Sequence, residues 1–129
     1  MQATAALSLR YISPGNSASV ANLNATIEYA GSCAGFIDIP EGTADGADFP
    51  VPFGSVDEAK CVCFQNNTTL AKEISINESL DVWELAPLGM LLLSGVAAGG
   101  ITSISVIETA TATADGTVSY VVLGDSATP

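Results

Sequence analysis

The segment ITSISVIETATATADGTVSYVVLG, residues 101–124, decides the fold class. Both of its ends alternate between apolar and polar residues, as β-strands with one buried face do. Between them, Asp115-Gly116 is a strong signal for a two-residue turn, because both positions tolerate a positive φ. The segment therefore predicts two antiparallel strands, Ile101–Glu108 and Thr117–Leu123, that form a C-terminal hairpin.

Strand signals continue towards the N-terminus, where short runs rich in Val, Ile, Thr, Phe and Tyr recur between Gly, Pro, Asn and Asp. The further predicted strands are Val20–Tyr29, Gly35–Ile39, Ala59–Gln65, Ala71–Ile76, Asp81–Leu85 and Met90–Ser94, with Ala5–Ile12 as a ninth. Helical patterning is limited to a single turn at Ser55–Lys60. We expect an all-β protein, an antiparallel β-sandwich of about eight strands with a jelly-roll-like topology.

Two more hairpins are predicted from turn residues. The first joins CVCFQ to LAKEISI across residues 66–69, which are Asn-Asn-Thr-Thr. The second joins LDVWEL to MLLLS across residues 86–89, where Pro87 and Gly89 suit a tight turn. The segment Pro40–Gly54 predicts a long loop, and we expect it to be ordered only if something packs on it.

The length of 129 residues suits one domain with one hydrophobic core. Within this domain, residues 1–129, we expect residues 1–19 to form an N-terminal arm or edge strand and residues 124–129 to form a flexible tail. The N-terminus has no basic segment before an apolar one and is not typical of a secretory signal. The apolar segment Leu85–Gly99 contains Pro and Gly and is too short to cross about 30 Å of hydrocarbon as a helix, so it predicts a buried strand and a glycine-rich turn.

The charge is strongly negative, with 14 acidic and 3 basic residues and a net charge of −11. Nucleic acid and anionic membrane surfaces are disfavoured as partners, because both require clusters of Lys and Arg. A basic protein surface, or solubility through self-repulsion, fits better. With 48 % hydrophobic and 13 % charged residues, the chain is not of the disordered class, and partners are expected to cover part of its apolar surface.

The three cysteines, Cys33, Cys61 and Cys63, give no even disulfide framework, and the Cys-x-Cys pair lacks the second pair that a zinc site needs. On a strand, Cys61 and Cys63 point to the same face. We interpret them as buried thiols in a reducing environment, with metal or disulfide chemistry as the alternative.

Catalytic patterns are scarce. The absence of histidine removes the usual general base, and the sequence contains no nucleophile elbow, phosphate-binding loop or dinucleotide fingerprint. Two carboxylate pairs, Asp81 with Glu84 and Asp57 with Glu58, are nominally available for glycoside hydrolysis. The simpler interpretation is that Trp83 lies in the core and that Asp81 and Glu84 beside it are solvated.

Four acidic residues, Asp38, Glu41, Asp45 and Asp48, lie within the loop region and offer the oxygen ligands that calcium prefers. Their spacing does not match an EF-hand, so the loop is either a calcium site or a solvated, partner-facing segment. We expect no cofactor.

From AKCVCFQNNTTLAKEISIN through LAPLGMLLLSG to ITSISVIE and ADGTVSYVVLGD, residues 59–125 resemble small β-sandwich proteins of tailed-bacteriophage particles. The resemblance implies a non-enzymatic virion protein, made in the host cytoplasm, that acts as a head decoration or cement subunit. It also implies homotrimers that bind the major capsid protein or other virion subunits. The physics agrees, since symmetric association buries apolar surface and covers edge strands.

Other functions remain open: a receptor- or carbohydrate-binding module of a phage tail or fibre, another head–tail accessory protein, a small carboxylate enzyme, or a cellular β-sandwich of unrelated role. The candidate interface residues are Arg10, Tyr11, Phe49, Phe53, Pro87 and Leu88. Ordinary packing would explain each of them equally well.

Overall fold

A computed structural model describes residues 1–12, 18–94 and 100–126, and for residues 9–12 and 18–21 it describes the backbone alone. The strands are β1 Gln2–Ile12, β2 Ala18–Glu28, β3 Gly31–Ile39, β4 Asp48–Pro50, β5 Val56–Asn66, β6 Lys72–Ile76, β7 Val82–Leu85, β8 Met90–Ser94, β9 Ile104–Glu108 and β10 Gly116–Ser126. The described residues form no helix that is long and apolar enough to span a membrane.

The strands form three sheets. β1 and β2 pair only with each other, antiparallel over their whole length, and are called the arm. The first sheet has the strand order β3-β10-β5-β8, and the second sheet has the order β4-β9-β6-β7. The arm extends to Glu28, which is further along the chain than the arm predicted from residues 1–19.

The eight strands of the two larger sheets are paired as nested antiparallel couples: β3 with β10, β4 with β9, β5 with β8, and β6 with β7. This is the topology of one long hairpin, with β6 and β7 at its tip, that has been rolled into a sandwich. Two further pairings, β10 with β5 and β6 with β9, complete the two sheets. The predicted all-β, jelly-roll-like antiparallel sandwich is confirmed.

The three hairpins predicted from turn residues are wrong. β9 lies in the second sheet and β10 in the first, so they do not pair, and the same holds for β5 with β6 and for β7 with β8. Each of these connections crosses from one sheet to the other. The turn residues mark a reversal of the chain correctly, but they do not determine which strand the chain pairs with afterwards.

Asn66 shows how one crossing is fixed. Its side chain is fully buried, and its Nδ2 donates to the carbonyl oxygens of Leu70 (2.9 Å) and Leu85 (3.0 Å). Its Oδ1 accepts from the backbone N and the hydroxyl of Thr68. The amide thereby satisfies backbone groups that a hairpin ladder would otherwise satisfy, and it ties the end of β5 to the end of β7.

Three local predictions also need correction. The segment Pro40–Gly54 contains strand β4, and its backbone bonds to residues 108–112, for example Gly42 N to Ala112 O at 2.8 Å. Residues 108–112 of the same chain therefore pack on this segment and order it. The predicted helical turn Ser55–Lys60 is mostly the start of β5, and residues 124–126 extend β10 rather than belonging to a flexible tail.

The hydrophobic core lies between the two larger sheets. Its fully or almost fully buried members include Ile39, Val62, Phe64, Ile74, Ile104, Val106, Val118 and Val122. Two charged side chains are buried at one end of this core. Lys72 Nζ lies 2.9 Å from Glu108 Oε1, and the two side chains are 1 % and 0 % exposed.

Candidate interaction surface

The central part of the outer face of the first sheet, which points away from the core, consists of three cross-strand rows, and Asp38 opposite Thr117 follows at one end of them. The register aligns Ala34, Val121, Cys63 and Leu92 in the central row. The flanking rows are Phe36, Ser119, Gln65, Met90 on one side and Ser32, Leu123, Cys61, Ser94 on the other. Residues that are directly opposite share a face of the sheet, so these twelve side chains form one surface. We call it the uncharged face, because none of them is charged.

Several large apolar side chains of the uncharged face are open to solvent. Phe36 is 64 % exposed, Met90 is 60 % exposed and Val121 is 40 % exposed. The outer face of the second sheet is different, since one of its rows aligns Asp48, Ile107, Glu73 and Glu84. The outer face of the second sheet therefore carries an acidic row, whereas the outer face of the first sheet has an uncharged, largely apolar centre that Asp38 borders.

The arm is amphipathic by register. On one face its opposed pairs are Ala3 with Ile27, Ala5 with Ala25 and Leu7 with Leu23. On the other face the pairs are Gln2 with Glu28, Thr4 with Thr26, Ala6 with Asn24 and Ser8 with Asn22. A strand directs alternate side chains to opposite sides, so the arm has one apolar and one mainly polar face.

A groove separates the apolar face of the arm from the uncharged face. This open groove has a volume of about 500 Å³ and is lined on the arm side by residues such as Ala5, Leu7 and Ile27, and on the sheet side by residues such as Cys63 and Val121. The groove continues past Leu23 and Leu92 at the edge strand β8. Leu7 is 41 % and Leu23 64 % exposed, so the arm leaves its own apolar face partly uncovered.

Two thiols lie on the floor of the groove. Cys61 is buried and Cys63 half-buried, and both are free. Burial raises the pKa of Cys61, with a smaller contribution from neighbouring Cys63, and burial likewise raises the pKa of Cys63. Both groups are therefore neutral thiols near pH 7 and poor nucleophiles. The prediction that they share one face is confirmed, and Cys33 lies apart from them, packed against the core.

The predicted interface residues fall into three groups. Phe49 and Phe53 are partly buried and pack against the core, so ordinary packing accounts for them. The backbones of Arg10 and Tyr11 belong to β1, but their side chains lie outside the described residues. An interface role for these residues stays a prediction.

Leu88 is the third case, together with Pro87. The Ala86–Gly89 turn is closed by a 2.8 Å hydrogen bond from Gly89 N to Ala86 O, and Leu88 occupies its third position with φ +63°. Gly or Asn normally fills this position, because a Cβ there costs about 1–2 kcal/mol. Leu88 is nonetheless 75 % exposed. The turn thus holds an apolar side chain outwards at a cost in stability.

The structure overturns the prediction that Trp83 lies in the core. The register places Trp83 opposite Ile74, on the inner face of the second sheet, but β7 is an edge strand and the indole remains 53 % exposed. Asp81 and Glu84 are exposed as expected. Among residues 1–12, 18–94 and 100–126, no group of three or more acidic or cysteine side chains could hold a metal ion, and the four loop acids are all exposed.

No family model matches the chain, and a search of curated proteins finds no match. Among solved structures, the chain is similar to the Schizosaccharomyces pombe Cnp3 cupin domain, with 12 % sequence identity and a TM-score of 0.45. The alignment covers 93 % of this chain and 88 % of that one. The strand order and register of the chain itself, rather than this similarity, define its fold.

Proposed function

We propose that the chain is a non-enzymatic structural subunit that associates with other protein subunits through the uncharged face. In its full form, the proposal is a head decoration or cement subunit of a tailed-phage virion, in line with the sequence resemblance described above. The observation that carries the proposal is a sheet face of three cross-strand rows without one charge, in a protein of net charge −11.

The size of this face supports a role in association. Four strands about 4.8 Å apart and three rows about 6.7 Å apart give an area on the order of 400 Å² before the arm is added. The largest apolar patch on a typical monomer is about 300–600 Å² and is often functional, so this face has the size of an interaction site. The core of a protein–protein interface is likewise poor in charged residues.

The chemistry of the described residues supports the proposal that the chain has a structural rather than a catalytic role. The chain has no histidine, and the two thiols of the groove are held neutral by burial. Neither a metal cluster nor an activated nucleophile is found in the described part of the chain. A surface of this composition can exclude water from a partner, and the raised pKa values of its two thiols leave it without a base near pH 7.

Sedimentation equilibrium of the purified chain tests association directly. We expect a closed oligomer, with a trimer favoured, because cyclic symmetry covers the same patch on every copy. A monomer over the whole micromolar range would contradict the proposal that the chain associates with itself.

The location in a virion needs a separate experiment. Particles purified from lysates of cells that make the chain should contain it in a fixed ratio to the major capsid protein, measured by quantitative mass spectrometry. Recovery only in the soluble fraction, while the particles are intact, would contradict the virion assignment.

Trp83 favours one alternative, a carbohydrate- or receptor-binding module. An exposed indole beside Asp81 and Glu84 is a feature that sugar-binding surfaces use. Because Trp83 is the sole tryptophan, its fluorescence reports on this position alone. Saturable quenching by an oligosaccharide, abolished in Trp83→Ala, would favour the alternative, and a flat titration over a panel of glycans would count against it.

A further inference from the structure

The charges of the chain are divided between the arm and the rest. All 14 acidic residues lie at or after Glu28, whereas Arg10 is the single charged side chain in residues 1–27. The arm, which ends at Glu28, therefore carries no net charge, and residues 29–129 carry −11 from 2 basic and 13 acidic side chains. Two copies of the chain repel each other at most relative orientations, but the arm of one copy can approach the other without this repulsion.

The arm and the uncharged face match in chemistry. The apolar face of the arm, formed by the Ala3–Ile27, Ala5–Ala25 and Leu7–Leu23 pairs, has no charge, and the sheet face opposite it has none. Contact between two such faces leaves no charged group buried without a partner.

Within one chain, however, these two faces close on each other only in part. Ile27 and Cys61 are buried, but a groove of about 500 Å³ remains open between the arm and the sheet. Leu23 on the arm and Met90 and Val121 on the sheet also stay substantially exposed. Much of the apolar surface of the arm and of the uncharged face therefore stays exposed to solvent in a single chain.

We propose that the partner for the uncharged face is a second copy of this chain, whose arm packs its apolar face into the groove. This inference rests on the proposed function and specifies its interface. Each copy gives its arm to a neighbour and receives an arm, either reciprocally in a dimer or around a ring. Exchange of an identical element between copies needs no new complementary surface.

The area is sufficient for a specific interface. The two arm strands, each 11 residues long, present a ribbon about 37 Å by 10 Å, or about 370 Å². In a reciprocal dimer, two exchanged arms counted on both sides of each contact cover at most about 1,500 Å², which is the size of a standard stable interface, and a single arm between neighbours in a ring covers about half of this.

Paired variants on the arm give the first test, with sedimentation equilibrium of the full chain as the readout. Leu23→Asp places a charge on the apolar face of the arm, and Asn22→Asp places the same charge on the polar face, away from the groove. Both positions are exposed, so both variants should fold, as their circular dichroism spectra will show. We expect at least a 100-fold weaker association for Leu23→Asp and less than a threefold change for Asn22→Asp.

Paired variants on the sandwich give the second test. Val121 lies on the uncharged face and is 40 % exposed, while Val82 lies on the outer face of the second sheet and is 39 % exposed. Val121→Asp should weaken association at least 100-fold, whereas Val82→Asp should leave it within a factor of three. Equal effects of the two substitutions would overturn the assignment of the interface.

Cross-linking determines whose arm occupies the groove. Ala5 lines the groove with Cys61 and Cys63, whereas Ser8 lies on the polar face of the arm and does not line it. Mild oxidation of Ala5→Cys should give covalent dimers or larger species on a non-reducing gel, and Ser8→Cys should give no more than the unmodified chain gives. A disulfide confined to the monomer would show that each arm stays on its own sheet, and would overturn the inference.

The outcomes separate this inference from the proposed function. An oligomer that is insensitive to both Leu23→Asp and Val121→Asp overturns the arm exchange and leaves the structural role standing. A chain that stays monomeric alone but binds purified phage heads overturns the second copy as partner and supports the virion role. A chain that does neither overturns both.

Discussion

At the scale of single residues, Lys72 and Glu108 are unusual. Lys72 Nζ also donates to Leu70 O at 3.0 Å, and Glu108 Oε1 accepts from Thr109 N at 3.1 Å. Glu108 Oε2 has no hydrogen-bond partner although it is buried. The pair balances its own charges, but neither residue can lose its partner without leaving a charge in the core.

Lys72→Met should therefore destabilise the fold by about 3–5 kcal/mol, since it leaves a buried carboxylate uncompensated. The double variant Lys72→Met/Glu108→Gln removes both charges, keeps an acceptor for Thr109 N, and should recover most of the loss. Lys60→Met is the control, because the Lys60–Asp125 pair is partly exposed and such pairs contribute about 0–1 kcal/mol. Urea unfolding measures all three, and equal losses for Lys72→Met and Lys60→Met would contradict the argument.

The positions of some single residues could not be predicted from composition and pattern. A single Trp in an apolar strand is usually a core residue, and the sequence does not reveal that β7 lies at a sheet edge where Trp83 stays exposed. The Lys72–Glu108 pair was also missed. The two residues lie 36 positions apart in sequence and become opposite neighbours only through the register of β6 with β9.

At the scale of elements, strands could be predicted and their partners could not. The predicted strand at Met90–Ser94 has the observed bounds, and the other strands that were predicted overlap the observed ones. Alternation of apolar residues is a local property, which is why it locates strands well. Pairing is decided by the rolled topology, in which a turn that reverses the chain can also carry it to the opposite sheet.

The pairing of β10 with β5 contains an irregularity that can be tested. The register shifts between Leu123 and Gly124, and a Cβ on Gly124 would lie only 2.0 Å from Glu58 O. Because this atom belongs to the backbone of β5, it cannot move away cheaply. Gly124→Ala should therefore cost about 1–3 kcal/mol or more in unfolding free energy.

Gly35→Ala is the matched control for this substitution, since its added Cβ would meet the end of the Tyr120 side chain at 3.1 Å instead of backbone. It should cost less than Gly124→Ala in the same urea titration. The reverse order would mean that the irregularity in β10 is not held by backbone contact.

At the scale of the whole molecule, the sequence indicated that partners cover part of its surface but not where. Strands β5, β8 and β10 carry apolar residues on both faces, and this pattern predicts strands that are buried on both faces. Only the sheet order shows that one of these faces points outwards. The groove also depends on where the arm lies, which no local pattern specifies. The association of copies through it stays a proposal.

The stability of the whole molecule should depend on alkaline pH. The folded protein raises the pKa of the Cys61 and Cys63 thiols above the ordinary value of 9.0, and burial, with a smaller effect of Cys33, raises the pKa of Tyr120 above 10.0. A group whose pKa is raised on folding contributes stability that is complete below its ordinary pKa and is lost as pH rises through the folded value. The unfolding free energy should therefore begin to fall near pH 9.

Cys61→Ala/Cys63→Ala should flatten the first part of this decline, and Tyr120→Phe should flatten the part above pH 10. Thermal unfolding in a series of buffers gives both slopes, each variant being compared with its own value at neutral pH. A decline of unchanged steepness in the double cysteine variant would assign the pH dependence to other groups.

The nested pairing of the strands affects the order in which they form during folding. Among the four nested couples, only β6 and β7 are consecutive strands, and each outer couple, from β5 with β8 to β3 with β10, closes a longer loop around the one inside it. Once an inner couple has formed, the effective loop that the next couple must close is shorter, so its entropic cost falls. We therefore expect the chain to fold slowly, on the millisecond-to-second scale of all-β proteins, from the tip of the roll towards its ends. The strand that follows the arm, β3, is then among the last to be fixed, and the arm is still free to find a neighbour when the rest of the molecule is complete.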